Sequence, residues 1–197
     1  NATALFLIAI PATVGLVALA DSISSSVLGE DFSTRAADII PIVAISVLFQ
    51  GTKSYYFDLS FQLGKKTSLQ IWPVLFGGIV NVILNLFLIP SYGTAGAVHA
   101  TLIAYTISIF LSWIIGKRIF PLPFPLKDFI KIMICSFLMG IPLYFLNNAN
   151  ETLYGLVLKV CFGVFIYFIM IYALNVWSIR EQLGGLVNKI TKKRGIK

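Results

Sequence analysis

The sequence predicts an all-α, polytopic membrane protein with six transmembrane helices, and three observations carry that prediction. First, 58% of the 197 residues are hydrophobic and 12% are charged, against about a quarter charged in a soluble domain. Second, polar residues cluster in short patches, and the apolar runs between them are about 20 residues long, enough for a helix to cross roughly 30 Å of hydrocarbon. Third, Lys and Arg alternate from one inter-helix connection to the next. An open sheet is excluded, because its edge would present unpaired N–H and C=O groups to lipid.

The spans read in order as 4–28, 37–62, 69–90, 95–115, 129–146 and 153–176. Pro11, Pro41, Pro73 and Pro142 fall inside them, which is tolerable where neighbouring helices satisfy the backbone groups they free. The run Phe120-Pro121-Leu122-Pro123-Phe124-Pro125 breaks the chain between spans four and five. This yields four units: a four-helix block at 1–118, a Pro-rich linker at 119–126, an accessory hairpin at 127–176 and a basic tail at 177–197.

Charge orients these spans. Lys65 and Lys66 follow span two, Lys117, Arg118 and Lys127 follow span four, and the tail holds Arg180, Lys189, Lys192, Lys193, Arg194 and Lys197. The opposite connections hold Glu30 and Asp31 against Arg35, no charge at 91–94, and Glu151. Cytoplasmic connections carry the Lys/Arg excess, so both ends of the chain are expected inside, in the plasma (inner) membrane. Trp72, Trp113 and Trp177 fall at inner ends of spans and Tyr92, Tyr144 and Tyr154 at outer ends, where amphipathic rings prefer the headgroup level. The net charge of +7 is therefore a topological signal, and no nucleic-acid partner is expected. The chain starts at Asn1 without Met or a charged leader, and we expect the C-terminal part of a longer protein.

Span two is unusual. After an apolar first half it reads Gln50-Gly51-Thr52-Lys53-Ser54-Tyr55-Tyr56-Phe57-Asp58. A charge within a span is costly unless it meets a partner or water. One reading makes this half-helix the wall of an aqueous cavity, with Lys53, Tyr55, Tyr56 and Asp58 facing an anionic or sugar-bearing cargo. The other has Lys53 snorkelling to the surface and Asp58 at the headgroups. Span three places Gly77, Asn81 and Asn85 on one face at four-residue spacing, and span four does the same with Gly96, Ala100 and Ala104. Small residues and Asn at such spacing are packing contacts between membrane helices, though the two Asn are also cavity candidates. Asp21, followed by Ser22, Ser24, Ser25 and Ser26, is either an ion-coupling carboxylate or a group tied to nearby hydroxyls. Lys159 is expected to snorkel, and His99 to be a hydrogen-bonded interface residue. In the tail Ile179, Leu183, Leu186 and Ile190 suit a helix on the anionic inner leaflet, while Gly184 and Gly185 suit a polybasic, partly unstructured one.

Several chemistries find no footing. Cys135 and Cys161 both lie in apolar runs and His99 is the single histidine, so no metal or disulfide framework is expected, nor any cofactor. Gly64-Lys65-Lys66-Thr67 looks like the end of a phosphate-binding loop. Leu59 stands where the leading Gly belongs, however, and Lys66 where the Ser or Thr belongs. The 8 acidic residues are scattered, which argues against an enzyme.

One segment is more specific than hydropathy. Asn81-Val82-Ile83-Leu84-Asn85-Leu86-Phe87-Leu88-Ile89-Pro90-Ser91-Tyr92-Gly93-Thr94-Ala95-Gly96-Ala97 closely resembles a signature of polysaccharide-repeat-unit flippases. These are the O-antigen and teichoic-acid exporters of the multidrug/oligosaccharidyl-lipid/polysaccharide superfamily. Leu28-Gly29-Glu30-Asp31-Phe32 and Leu63-Gly64-Lys65-Lys66-Thr67 resemble two further motifs of that family, and the likeness covers about residues 5–118. It implies a MATE-like transporter with two lobes about a central cavity, of which this chain supplies the last four helices of the second lobe and an accessory pair. The implied cargo is an undecaprenyl- or dolichyl-linked oligosaccharide, moved by alternating access. The implied partners are membrane lipids, the missing N-terminal lobe, and a polysaccharide polymerase and glycosyltransferases. The alternatives are a drug or cation exporter of the same superfamily and a membrane scaffold without transport. Lys53 among the cavity candidates, without a dense set of carboxylates, speaks against a cationic cargo.

Overall fold

The computed structural model describes residues 2–27, 30–147 and 152–178, and among them it contains helices and turns but no strand. The expectations placed on Leu28, Gly29, Glu151 and the basic tail from residue 179 onward lie outside the described residues. The helices are α1 (Ala2–Ala18), α2 (Ala20–Val27), α3 (Glu30–Thr52), α4 (Leu59–Leu63), α5 (Ile71–Ile119), α6 (Leu126–Phe145) and α7 (Leu153–Ala173).

α5 is two spans folded on each other. As a straight rod, residues 35 apart in sequence would stand about 50 Å apart, yet the Ser108 hydroxyl donates to the Pro73 carbonyl over 2.7 Å. The fold-back is at Gly93, whose φ of +58° and ψ of −134° are costly for any residue with a Cβ. Gly96 has a different reason to be glycine. A Cβ there would collide with the Leu88 carbonyl in the last turn of the incoming half.

The outgoing half of α5 buries Gly96, Ala100, Ala104, Ser108, Ser112 and Gly116, a small residue at every fourth position. Four residues are 400° of helix, so the stripe rotates by about 40° at each step. It therefore faces the incoming half near Gly77, whose added Cβ would lie 3.0 Å from Ser108, and faces α3–α4 at its far end, where Gly116 lies against Ser60. One stripe of small residues thus packs on two neighbours in succession.

Proline also organises α1. The Pro11 ring leaves the Leu7 carbonyl without an intrahelical donor, and the Tyr167 hydroxyl of α7 donates to it over 2.8 Å. α1 and α2 meet at Leu19 in a 72° bend. The run read as a single span at 4–28 is accordingly two helices set at an angle. The second span is also irregular, because α3 passes through a π-turn at Lys53–Phe57 before α4.

Four helices are long and apolar enough to cross a membrane, five with the bent pair. Since α5 is a hairpin of two apolar halves, the candidate spans among the described residues number five, or six with the bent pair counted as one. The fifth and sixth spans, read at 129–146 and 153–176, are α6 and α7. They share a core with α1: Phe6 and Ile10 pack with Ile132, Cys135, Met139, Leu143, Tyr167 and Ile171. Thr152 caps α7, its hydroxyl accepting from the Gly155 N–H over 3.3 Å. The outward surface is apolar, with Ile8, Leu86, Phe87 and Phe145 more than two-thirds exposed, as expected where lipid is the solvent.

The bundle has two distinct ends. Lys65, Lys66, Lys117, Arg118 and Lys127 lie at one, where the Pro-rich linker closes an aromatic cluster of Phe6, Tyr56, Phe124 and Phe129 with ring centroids 5.0–6.2 Å apart. Gly93, Asp21 and Asn147 lie at the other.

Candidate functional site

Lys53, Tyr55, Tyr56 and Asp58 sit on or directly after the π-turn. In an α-helix, residues five apart point about 140° away from each other. The π-turn closes an i to i+5 ring instead, with the Asp58 N–H donating to the Lys53 carbonyl over 2.8 Å, and so brings these two side chains together. Lys53 Nζ lies 2.7 Å from Asp58 Oδ2. The pair is nearly sealed, with 8% and 2% side-chain exposure. Asp58 Oδ2 also accepts from Gln70 Nε2 at 3.0 Å, and Asp58 Oδ1 accepts from Ser112 Oγ at 2.9 Å. Burial of both charges is thus compensated by a partner and two further donors, which a buried ion pair requires. Lys53 turns inward to Asp58 rather than outward to the surface, and Asp58 is buried inside the bundle.

Beside the pair, between α3 and the two halves of α5, lies a polar cavity of about 400 Å³. Lys53 and Asn81 line it, with Gln50, Ser54, Thr101 and Tyr105. Gly77 and Ala104 form part of its floor. The remaining candidates stand elsewhere. Asn85 lies one turn beyond, its Nδ2 donating to Asn81 Oδ1 at 3.0 Å while Asn81 Nδ2 donates to Thr101 Oγ1 at 3.3 Å. Tyr55 faces the apolar groove between α1 and α3. Tyr56 is buried in the aromatic cluster, its hydroxyl donating to the Leu122 carbonyl over 3.4 Å. Asp58 lies behind Lys53 rather than on the cavity wall.

Asp21 belongs to the opposite end. It is exposed and accepts from Asn147 Nδ2 over 2.6 Å, while Asn147 Oδ1 accepts from the Ser22 N–H and hydroxyl at 3.0 and 2.9 Å. Lys159 Nζ lies 3.4 Å from the same hydroxyl. This cluster ties α2 to the ends of α6 and α7, far from the cavity. His99 is exposed, its Nδ1 2.7 Å from the Ala95 carbonyl of its own helix.

Sequence reasoning missed three partners. Ser112 and Ser108 continue the small-residue stripe begun at Gly96, and extending the four-residue spacing would have found both. Gln70 lies in the turn Thr67–Gln70, and no periodicity marks it.

The architecture is that of a multi-pass, all-α membrane protein with a polar cavity between its helices, and its backbone is the flippase fold. It superposes on a solved lipid II flippase, MurJ in an inward closed conformation, with a TM-score of 0.73 and 22% identity, covering 86% of this chain and 36% of that one. In sequence, the chain is 25% identical over 179 residues to the probable lipid II flippase MurJ of Thermotoga maritima, covering 88% of this chain and 37% of the relative. It is 28% identical over 161 residues to an uncharacterized membrane protein of Methanocaldococcus jannaschii, covering 80% and 31%. No protein-family model matches. The chain thus spans about a third of the length of the relatives it matches. Two of these similar proteins are lipid II flippases by name, the third is uncharacterized, and none is named as an O-antigen exporter.

Proposed function

We propose that this chain is part of a transporter that carries a lipid-linked saccharide across the membrane by alternating access, with the cavity between α3 and α5 contributing to the cargo path. The observation that carries the reading is the 25% identity to a lipid II flippase over nearly the whole chain, in agreement with the backbone likeness. The cavity's chemistry suits such a cargo. Gln50, Asn81, Thr101 and Tyr105 offer hydrogen bonds to sugar, and Lys53 is the charged residue among those lining it. That single cation disfavours a cationic drug as cargo. The finer choice of a polysaccharide repeat unit over lipid II rests on the signature at 81–97. Polymerase and glycosyltransferases would be its functional neighbours.

The complete protein, reconstituted in liposomes with fluorescent lipid-linked disaccharide and lipid-linked repeat unit, is expected to move at least one of them to the opposite leaflet. Protein-free liposomes should not. Equal accessibility with and without protein for both lipids would end the proposal.

The orientation follows from charge: the end with Lys65, Lys66, Lys117 and Arg118 is proposed to be cytoplasmic. Single cysteines introduced at Thr67 and Thr94 of the complete protein, otherwise made cysteine-free, test this. A membrane-impermeant maleimide applied to intact cells should label position 94 and reach 67 only after lysis. The reverse pattern would invert the topology.

A further inference from the structure

The Lys53–Asp58 pair is lopsided. Three donors from separate segments hold the carboxylate: the ammonium at 2.7 Å, Gln70 at 3.0 Å and Ser112 at 2.9 Å. Asp58 is 1% exposed and does not line the cavity. Lys53 does line it, and among the described residues Asp58 is the one side chain paired with its ammonium. If the ammonium swung away, the carboxylate would keep two donors unchanged. The ammonium, in contrast, must exchange one anion for another, because a bare cation at this depth is too costly. Its flexible four-carbon stem makes it the movable member.

The cavity is built for such an exchange. Its other polar lining groups, including Gln50, Ser54, Asn81 and Tyr105, are neutral, and among the described residues no carboxylate lines it. An entering anion meets donors and one cation with no repelling charge on the wall. A phosphoryl group carries more charge than a single carboxylate, and beside a largely buried ammonium that difference is screened less than in bulk water.

We propose that Lys53 exchanges the Asp58 carboxylate for a phosphoryl oxygen of the cargo, and that Asp58 is a positioning residue, an internal placeholder that keeps the ammonium paired while the cavity is empty. The inference rests on the reading of a lipid-linked cargo, whose sugar and lipid are joined through phosphate. It adds a selection rule: a neutral amphiphile cannot displace Asp58, whereas a phosphorylated one can. The Ser112 and Gln70 donors make the exchange reversible by retaining the carboxylate in place.

Calorimetric titration of the complete protein in phosphatidylcholine nanodiscs tests this, with farnesyl diphosphate, inorganic diphosphate and farnesol as probes. The wild type should bind farnesyl diphosphate at least about tenfold more tightly than farnesol, a scale set by one desolvated charge pair. Lys53→Gln should erase that preference. Asp58→Asn should strengthen farnesyl diphosphate binding, by about tenfold once the competing charge is gone, and leave farnesol unchanged. Single variants can loosen the fold, so the neutral double variant Lys53→Gln/Asp58→Asn serves as the control that removes both charges together. It should remain monodisperse and show no preference. A pair that is only structural would leave the double variant discriminating like the wild type, or would make Asp58→Asn bind more weakly, and either result overturns the exchange. If inorganic diphosphate binds as tightly as farnesyl diphosphate with the same variant pattern, the exchange stands and its anion is free in solution. The lipid-linked reading would then fail separately.

Discussion

Gly96→Val is expected to remove most of the folded protein, while Gly78→Ala should leave it intact or slightly more stable. All three glycines of α5 that bear on this comparison lie in helical backbone, so conformational freedom does not separate them; space does. At Gly96 a Cβ would overlap the Leu88 carbonyl, with the Ile89 N–H 3.1 Å away. The obstacle is backbone within a tight hairpin and has no rotamer to give. At Gly77 a Cβ would meet the Ser108 Cβ at 3.0 Å and the Ala104 carbonyl at 3.4 Å, so Gly77→Ala should cost less. At Gly78 nothing stands within 4 Å, and Ala gains helix propensity of about 1 kcal/mol. Overpacking commonly costs about 1–3 kcal/mol where side chains can shift, and Gly96 should lie at or above the top of that range. Melting in mild detergent, followed by size-exclusion chromatography, should rank the variants Gly78→Ala, Gly77→Ala, Gly96→Val from most to least stable. A Gly96→Val protein that melts with the wild type would refute the close approach of the two halves of α5.

Much of this fold is legible in the sequence because lipid imposes a simple rule. Spans are long apolar runs, and the wide spacing of charge leaves little doubt where they lie. The hairpin at Gly93 could be read from Pro90, Gly93 and Gly96 together. What stayed hidden depends on contacts between distant residues. The bend at Leu19 has no Gly or Pro at its centre, since Pro11 lies two turns earlier and its freed carbonyl is taken up by Tyr167 from another helix. The accessory hairpin reads as a separate unit because apolar lipid-facing and apolar core-facing residues look alike, yet Phe6 and Ile10 pack directly on α6. The site shows the same limit. Lys53 and Asp58 stand out as charges within a span, but at α-helical spacing they would diverge, and nothing local in Lys53-Ser54-Tyr55-Tyr56-Phe57 announces a π-turn. Ser112 and Gln70 bond to Asp58 from 54 and 12 residues away.

That geometry changes what charge reversal at Lys53 should do. A cavity-facing lysine without a partner would tolerate Lys53→Glu and lose only cargo binding. Here the new carboxylate would stand against Asp58 in a site with 2% exposure on the Asp58 side. Removing one partner of a buried pair costs about 3–5 kcal/mol, and two like charges about 4 Å apart add roughly 4 kcal/mol at an effective dielectric near 20. Lys53→Glu is therefore expected to lose the monodisperse species altogether, before transport can be measured. The charge swap Lys53→Glu/Asp58→Lys should recover it. The Ser112 hydroxyl can accept as readily as donate, and Gln70 can turn its carbonyl toward an ammonium at position 58, so the swapped pair keeps its partners. In the swapped protein the carboxylate lines the cavity and the cation lies behind it, so translocation of a phosphate-linked saccharide should fall to the protein-free rate although the fold is restored. A folded Lys53→Glu single variant with unchanged melting would show that the ion pair does not stabilise the buried cluster at the π-turn, and the placement of Lys53 against Asp58 would have to be abandoned.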